Sequence, residues 1–234
     1  MAMHQHSVSP AQGRFPYAAA FKEPVIDIEA IRRTEVSRDP YTHMLVDNVL
    51  NADVVPALRA GFPNITKPGF LTVDEVQMQG KFKQLIDELE SPELSEVMSE
   101  RMGIDLHPFP RLTTIRKISQ AKDGRSHTDG TAKVMTLLVY MNDAWNDDGA
   151  GRLRVLYGPD GFEPYKVEVP PVMGTMFAFL RSENSWHGHM PFAGERRVVQ
   201  VAWVKNAAEL DRKKRRNATA QFLKGIFGIG KNLA

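Results

Sequence analysis

The sequence contains no cysteine among its 234 residues. This absence excludes a disulfide framework, a thiolate metal site and a cysteine nucleophile. Any metal ion must therefore be bound by histidine, aspartate or glutamate side chains.

The sequence also has no excess of charge of one sign and no long apolar run. Lys and Arg total 30 against 28 Asp and Glu, a net charge of +2, which gives no general nucleic-acid signal. The apolar runs are too short to span a bilayer. Residues 1–12 are polar and lack the basic-then-apolar pattern of a secretory signal, so we expect a cytoplasmic protein with no specific nucleic-acid partner.

The small net charge hides a basic C-terminal tail. Residues 205–234 carry a net charge of +6, which leaves −4 for residues 1–204. Within this tail, the basic run Arg212–Arg216 precedes apolar residues at positions 222–229. We predict a basic amphipathic C-terminal helix over residues 206–234 that contacts the body or a second subunit; a peripheral membrane contact is the alternative.

The first half of the chain has helical patterns. Phe82, Leu85, Ile86 and Leu89 recur at helical spacing. Ser91-Pro92 then supplies an N-cap and a first-turn proline for a second helix. We interpret residues 1–112 as an N-terminal helical and mixed support region of the same domain, whose helices pack on a sheet.

From residue 113 the pattern changes to short β-rich runs separated by Gly, Asp, Asn and Pro. The predicted strands are 113–118, 134–141, 153–157, 167–169, 175–180 and 197–204. Several short strands at this spacing favour a β-sandwich or barrel over alternating strand–helix units. We therefore predict a mainly β core over residues 113–205.

Candidate metal ligands lie in this β half. In His127-Thr128-Asp129, an imidazole and a carboxylate stand two positions apart, and they share one face if the segment is extended. His187 supplies a third candidate ligand. Two histidines and one carboxylate are typical of non-haem Fe(II) oxygenases, although a zinc enzyme can use the same three ligands.

The order and spacing of the motifs in this half are more specific than any one of them. The pattern consists of His127-x-Asp129, Thr136-x-x-x-Tyr140-x-Asn142, Gly149-Ala150-Gly151-Arg152-Leu153, His187, Pro191, Gly194 and Arg197. This pattern resembles the Fe(II)/2-oxoglutarate-dependent dioxygenases, and within them the prolyl-4-hydroxylase-like branch. The resemblance implies a double-stranded β-helix core, the jelly-roll or cupin-like fold, with the N-terminal helices packed on the sheet.

The resemblance also implies the chemistry of the site. Fe(II) would be bound by His127, Asp129 and His187, and 2-oxoglutarate would be contacted by Arg197, Tyr140 and Thr136. The enzyme would consume O₂ and release succinate and CO₂ while it hydroxylates a small-molecule or peptidyl substrate that the sequence does not identify. Arg197 joins the three metal ligands as a catalytic candidate.

The choice between the adjacent Arg196 and Arg197 depends on strand alternation. Arg197 stands six positions before Trp203, as an arginine does in the family, and alternation places the two on one face. We predict that Arg197 points inward, where its planar guanidinium suits the distal carboxylate of 2-oxoglutarate, and that Arg196 points outward.

Two points stay open at this stage. A cupin-type metal-binding protein without oxygenase activity is the alternative function, although it has no need of a buried guanidinium. Many prolyl hydroxylases have a tyrosine in the strand before the H-x-D motif, whereas residues 116–121 here contain none. A prolyl substrate is therefore less well supported than the oxygenase chemistry.

Overall fold

The computed structural model describes residues 21–146, 149–212 and 215. Its α-helices are α1 (Ile28–Arg33), α2 (Val55–Gly61), α3 (Gly80–Leu89) and α4 (Pro92–Met102). Its strands are β1 (His43–Val46), β2 (Leu71–Thr72), β3 (Arg111–Ser119), β4 (Lys133–Tyr140), β5 (Leu153–Leu156), β6 (Tyr165–Val169), β7 (Met176–Leu180), β8 (His187–Gly188) and β9 (Gly194–Val204). Short 3-10 turns cover Ala52–Val54, Val73–Glu75 and Ala121–Asp123.

The strands form two antiparallel sheets. The large sheet has the order β1-β7-β4-β9-β3-β2, and the small sheet has the order β6-β5-β8. Neighbouring strands in the large sheet are mostly distant in sequence, so the chain crosses between the sheets repeatedly. This mainly β architecture with flanking helices confirms the predicted fold class.

Both faces of the large sheet are buried, because its strands alternate between two apolar clusters. On β9, Val198 joins the cluster between the two sheets, while Val199 and Val201 join the cluster that includes the helices. On β7, Phe177 faces the first cluster and Met176 the second. One face of the large sheet thus lines the space between the sheets, and the other is covered by helices.

The helices begin and end at the signals that the sequence contains. Ser91 caps α4 by accepting a hydrogen bond from the Leu94 N–H at 3.1 Å, and Pro92 follows at the first helical position. Gly103 ends α4 in the left-handed conformation, with φ of 74°. The apolar side chains of α3 and α4 belong to the helix-side cluster, which confirms that these helices pack on the sheet.

The N-terminal region contributes more than helices. Strand β1 pairs with β7, and β2 pairs with β3, so each adds an edge to the large sheet. The predicted division at residues 112 and 205 stays a prediction. The C-terminal basic helix falls almost wholly outside the described residues. Within them, no helix is long and apolar enough to cross a membrane.

A buried carboxylate fixes the segment that enters α1. Glu88 on α3 is fully buried and accepts hydrogen bonds from the Val25 and Ile26 N–H groups, each at 2.8 Å, and from the Gln84 amide. We expect Glu88→Ala to lower the free energy of unfolding by about 3 kcal/mol, because it leaves buried N–H groups unpaired. Urea denaturation measures this loss.

The exposed Glu96→Ala, on α4, is the matched control and is expected to cost less than about 0.5 kcal/mol. A Glu88→Ala protein as stable as this control would show that the carboxylate does not anchor the segment.

Candidate active site

Two segments distant in sequence bring three candidate metal ligands together. His127 and His187 are directly opposed, since the N–H of each donates to the carbonyl of the other at 2.9 and 3.0 Å. Asp129 lies two residues further on, and ligand atoms of His127, Asp129 and His187 all lie within 4.8 Å of one another. One ion can therefore bind all three side chains, as the sequence predicted.

Hydrogen bonds fix which nitrogen each imidazole offers. His127 Nδ1 lies 3.1 Å from the Arg125 carbonyl oxygen, and His187 Nδ1 lies 2.9 Å from the Ser185 carbonyl oxygen. A carbonyl only accepts, so each Nδ1 carries the proton and each Nε2 keeps a free lone pair. This support of metal-binding histidines by backbone carbonyls is common in metalloproteins, so the donor set fits a divalent transition metal.

The carboxylate of Asp129 is buried and ionised. Its Oδ1 accepts from the Lys133 ammonium at 2.7 Å, and its Oδ2 accepts from the Thr136 hydroxyl at 2.6 Å. Burial acts to raise the pKa of Asp129, but Lys133, His187 and these hydrogen bonds outweigh it and hold the pKa well below its usual value. The carboxylate is thus available as an anionic ligand.

The imidazoles of His127 and His187 are neutral because burial, which is outweighed at Asp129, dominates their pKa values. Burial lowers the pKa of His187 to about 4, although the nearby Asp129 carboxylate acts against this shift. Burial also lowers the pKa of His127. Since a metal binds only the unprotonated imidazole, both residues are in their ligating form at neutral pH.

Gly188 allows the two ligand segments to approach. A Cβ at this position would lie 2.0 Å from the Arg125 carbonyl oxygen, which also supports His127. We expect Gly188→Ala to force the two segments apart and to weaken metal binding by at least about tenfold, because even supporting groups around metal ligands are worth 10–100-fold. Titration of the metal-free protein with Co(II) measures this affinity.

Gly130→Ala is the matched control, because Gly130 follows Asp129 and an added Cβ there meets nothing within 4 Å. Equal Co(II) affinity for the two variants would contradict the assigned role of Gly188.

The candidate ligands line one side of a cavity of about 340 Å³ between the two sheets. Its walls combine apolar residues with buried polar ones, which is typical of a site for a small ligand. The apolar part includes Leu138, Leu153, Phe179 and Val198. A larger groove of about 900 Å³ follows residues 60–67 and 75–79, away from these ligands.

Of the adjacent Arg196 and Arg197, it is Arg196 that faces this cavity, so the predicted orientation of Arg197 is wrong. Arg196 is 4 % exposed and lines the cavity. Its Nε donates to the Gly151 carbonyl oxygen at 2.7 Å, and its Nη2 donates to the Tyr140 hydroxyl at 3.1 Å. Arg197 instead pairs with Glu195 and lies over the Phe62 ring on the opposite face of β9.

The alternation along β9 was predicted correctly, and only the identity of its two faces was wrong. Val199, Val201 and Trp203 share a face with Arg197, but they belong to the helix-side cluster. Trp203 Nε1 lies 3.4 Å from Ser95 Oγ on α4, which shows directly that this face meets the helices. The cavity face carries Arg196, Val198 and Gln200.

The two other residues predicted to contact 2-oxoglutarate, Tyr140 and Thr136, have different contacts in the structure. Tyr140 is fully buried, lines the cavity and supports the Arg196 guanidinium. Thr136 also lines the cavity, but its hydroxyl is committed to Asp129. Thr136 therefore orients a candidate metal ligand.

Sequence reasoning missed Lys133 and Arg116 at the site, and it left the role of His189 open. Lys133 contacts Asp129, Arg116 lines the cavity from β3, and His189 lines it as a buried residue. Burial, with the nearby Arg196, lowers the pKa of His189 to about 3, so this imidazole is neutral. A spacing of two residues from His187 was the signal for His189.

Two packed antiparallel sheets that bring two histidines and one aspartate together are typical of mononuclear non-haem Fe(II) oxygenases, although the same three ligands can also bind zinc. The comparison with protein families is more specific, since residues 115–205 match the 2OG-Fe(II) oxygenase superfamily. Residues 115–205, which include His127, Asp129 and His187, thus resemble the 2-oxoglutarate-dependent dioxygenases, whose cofactors are Fe(II), 2-oxoglutarate and O₂. The alternative of a passive metal-binding protein is not supported.

Solved structures show the same fold at low sequence identity. A Pseudomonas putida prolyl-4-hydroxylase is 20% identical with a TM-score of 0.50, over 77% of this chain and 97% of that one. A prolyl 4-hydroxylase from Phytophthora capsici is 16% identical with a TM-score of 0.50, over 85% of this chain and 68% of that one. No curated protein sequence matches the chain.

Proposed function

We propose that His127, Asp129 and His187 bind Fe(II) and that Arg196 with Tyr140 binds the distal carboxylate of 2-oxoglutarate. The observation that carries this proposal is a buried cation beside the metal-ligand cluster. No carboxylate of the described residues lies within 4.0 Å of the Arg196 guanidinium, whose hydrogen-bond partners are a hydroxyl and a carbonyl. A buried charge without a counter-ion is costly, so an anionic ligand fits this position.

The two hydrogen bonds of Arg196 orient its guanidinium for that ligand. The Gly151 carbonyl and the Tyr140 hydroxyl hold Nε and Nη2, and Nη1 keeps its hydrogens for an incoming carboxylate. Gly151 has a φ of 73°, a conformation that favours glycine, so its carbonyl is presented to Arg196 by a turn that few other residues form as readily. Arginine suits this task because its donors form charge-assisted hydrogen bonds with carboxylates.

When bound, Fe(II) would allow O₂ to oxidise 2-oxoglutarate to succinate and CO₂ and, with its second oxygen atom, to hydroxylate a substrate. The protein contributes the geometry: Nδ1 protons held by carbonyls, an Asp129 carboxylate held by Lys133 and Thr136, and a cavity with a partly apolar lining. The primary substrate is a small molecule or a peptidyl residue.

Anaerobic reconstitution with Fe(II) and 2-oxoglutarate, followed by exposure to O₂, tests the proposal. We expect succinate formation that requires all three components. Two results would overturn the proposal. One is succinate formation without added iron, and the other is no succinate formation together with binding of the metal and 2-oxoglutarate elsewhere in the molecule.

A further inference from the structure

The cavity contains more positive charge than iron and 2-oxoglutarate require. Its lining includes four basic residues, Arg116, Lys122, Arg125 and Arg196, and two acidic ones, Asp123 and Asp129. Asp129 is assigned to the metal and Arg196 to the cosubstrate. Three cations and one carboxylate are then left over, within a space of about 340 Å³.

Arg116 is the most informative of these cations. Its side chain is 11 % exposed, and its Nε is buried without a hydrogen-bond partner. Its guanidinium carbon lies 4.0 Å from the centre of the Phe70 ring, which also lines the cavity. A buried guanidinium that lines the cavity, and whose charge is compensated only in part, is placed to bind an anion there.

The nearby Asp123 satisfies Arg116 only in part. The shortest separation, from Arg116 Nη1 to Asp123 Oδ2, is 3.6 Å. The same Oδ2 accepts from the Gln120 N–H at 2.9 Å, as part of the cap of the 3-10 turn at residues 121–123. Burial lowers the pKa of Arg116 to about 10, which reflects how incompletely its charge is compensated.

The loop after β3 places the two other cations at the opening. Lys122 and Arg125 are exposed and line the cavity, and their side chains form no ion pair among the residues described. The loop is held close to the ligand segment, since a Cβ on Gly124 would lie 2.6 Å from the Pro191 Cα. An anion that enters the cavity therefore passes two unpaired cations before it reaches Arg116.

We propose that the primary substrate carries an anionic group, a carboxylate or a phosphate, that Arg116 binds inside the cavity and that Lys122 and Arg125 attract at its opening. The inference rests on the proposed function, because it assigns Arg196 and not Arg116 to 2-oxoglutarate. It narrows the substrate to an acidic small molecule or an acidic group on a peptide.

The test uses the full-length protein loaded with Ni(II) and saturated with 2-oxoglutarate, and the probe is inorganic phosphate. The midpoint of thermal unfolding is measured against phosphate concentration at constant ionic strength, since a ligand that binds the folded state raises it. We expect the wild type to be stabilised, and Arg116→Gln to need about tenfold more phosphate for the same shift. A parallel titration with acetate assigns the preference to carboxylate if it stabilises at lower concentration, and to phosphate otherwise.

Lys117→Gln is the matched control, because this substitution removes the same charge as Arg116→Gln. Lys117 is the next residue on β3, and it pairs with Glu195 outside the cavity. We expect it to behave as the wild type does. Either of two results would overturn the inference. One is that neither phosphate nor acetate stabilises the wild type, and the other is that Arg116→Gln responds to phosphate as Lys117→Gln does.

A separate titration with 2-oxoglutarate distinguishes a wrong assignment of Arg116 from a wrong proposed function. If Arg116→Gln weakens 2-oxoglutarate binding about tenfold and leaves the phosphate response unchanged, Arg116 serves the cosubstrate and the inference is wrong. If 2-oxoglutarate does not bind the metal-loaded wild type at all, the proposed function itself is wrong.

Discussion

Asp129→Ala is expected to weaken metal binding by more than about 100-fold and to abolish 2-oxoglutarate turnover. Loss of a group that merely supports a metal ligand costs about 10–100-fold in metal affinity, and Asp129 is the single anionic ligand of the proposed site. Its removal leaves two neutral imidazoles, which compensate none of the charge of a divalent ion. Equilibrium titration with Co(II) and a succinate assay with Fe(II) measure the two effects.

The fold of this variant needs a control of its own, because Lys133 loses its partner. Lys133 is 13 % exposed and contacts Asp129 Oδ1, so Asp129→Ala leaves a buried ammonium unpaired and is expected to cost about 3 kcal/mol of stability. Asp129→Asn preserves the volume and an acceptor, and it is expected to fold well while it still loses metal affinity. The exposed Asp160→Ala is the matched control for removal of a carboxylate. If Asp129→Asn bound Co(II) as well as Asp160→Ala does, this carboxylate would not be a metal ligand.

Local signals in the sequence were sufficient to predict most of the secondary structure. The cap at Ser91, the left-handed Gly103 and the spacing of Phe82, Leu85 and Leu89 each depend on neighbouring residues, so a sequence displays them directly. The pairing of β1 with β7 joins residues that are far apart in sequence, for example His43 with Phe179. Such a contact leaves no local trace, and the sequence therefore did not reveal that the N-terminal region completes the sheet.

The cluster of candidate metal ligands could be predicted because their chemistry restricts the choice. Few residue types bind iron, and the spacing of His127 and Asp129 is visible in the sequence. The choice between Arg196 and Arg197 could not be made in this way, since both strand faces are buried and apolar alternation looks the same from either side. The helices decide which face becomes the cavity, and the sequence of β9 contains no information about where they pack.

Arg196→Met and Arg197→Met form a pair that tests this correction, since the two side chains are adjacent and lie on opposite faces of β9. Arg196→Met is expected to raise the Kd for 2-oxoglutarate by at least about 30-fold, because truncation of one partner of a buried, hydrogen-bonded charge pair costs about 2–5 kcal/mol. The variant keeps much of the side-chain volume, so the Tyr140 ring stays packed. Co(II) affinity is expected to stay within about twofold, since Arg196 contacts none of the three metal ligands.

Arg197→Met is expected to leave the Kd for 2-oxoglutarate within about twofold of the wild-type value, because its partner Glu195 is 47 % exposed and such surface pairs contribute little. Calorimetric titration of the metal-loaded proteins under anaerobic conditions measures both constants. The opposite pattern, with Arg197→Met defective and Arg196→Met normal, would mean that the Trp203 face of β9 and not the Val198 face lines the cosubstrate site. Equal, small effects from both variants would show that neither arginine binds 2-oxoglutarate. The proposed function would then be supported by the metal ligands alone.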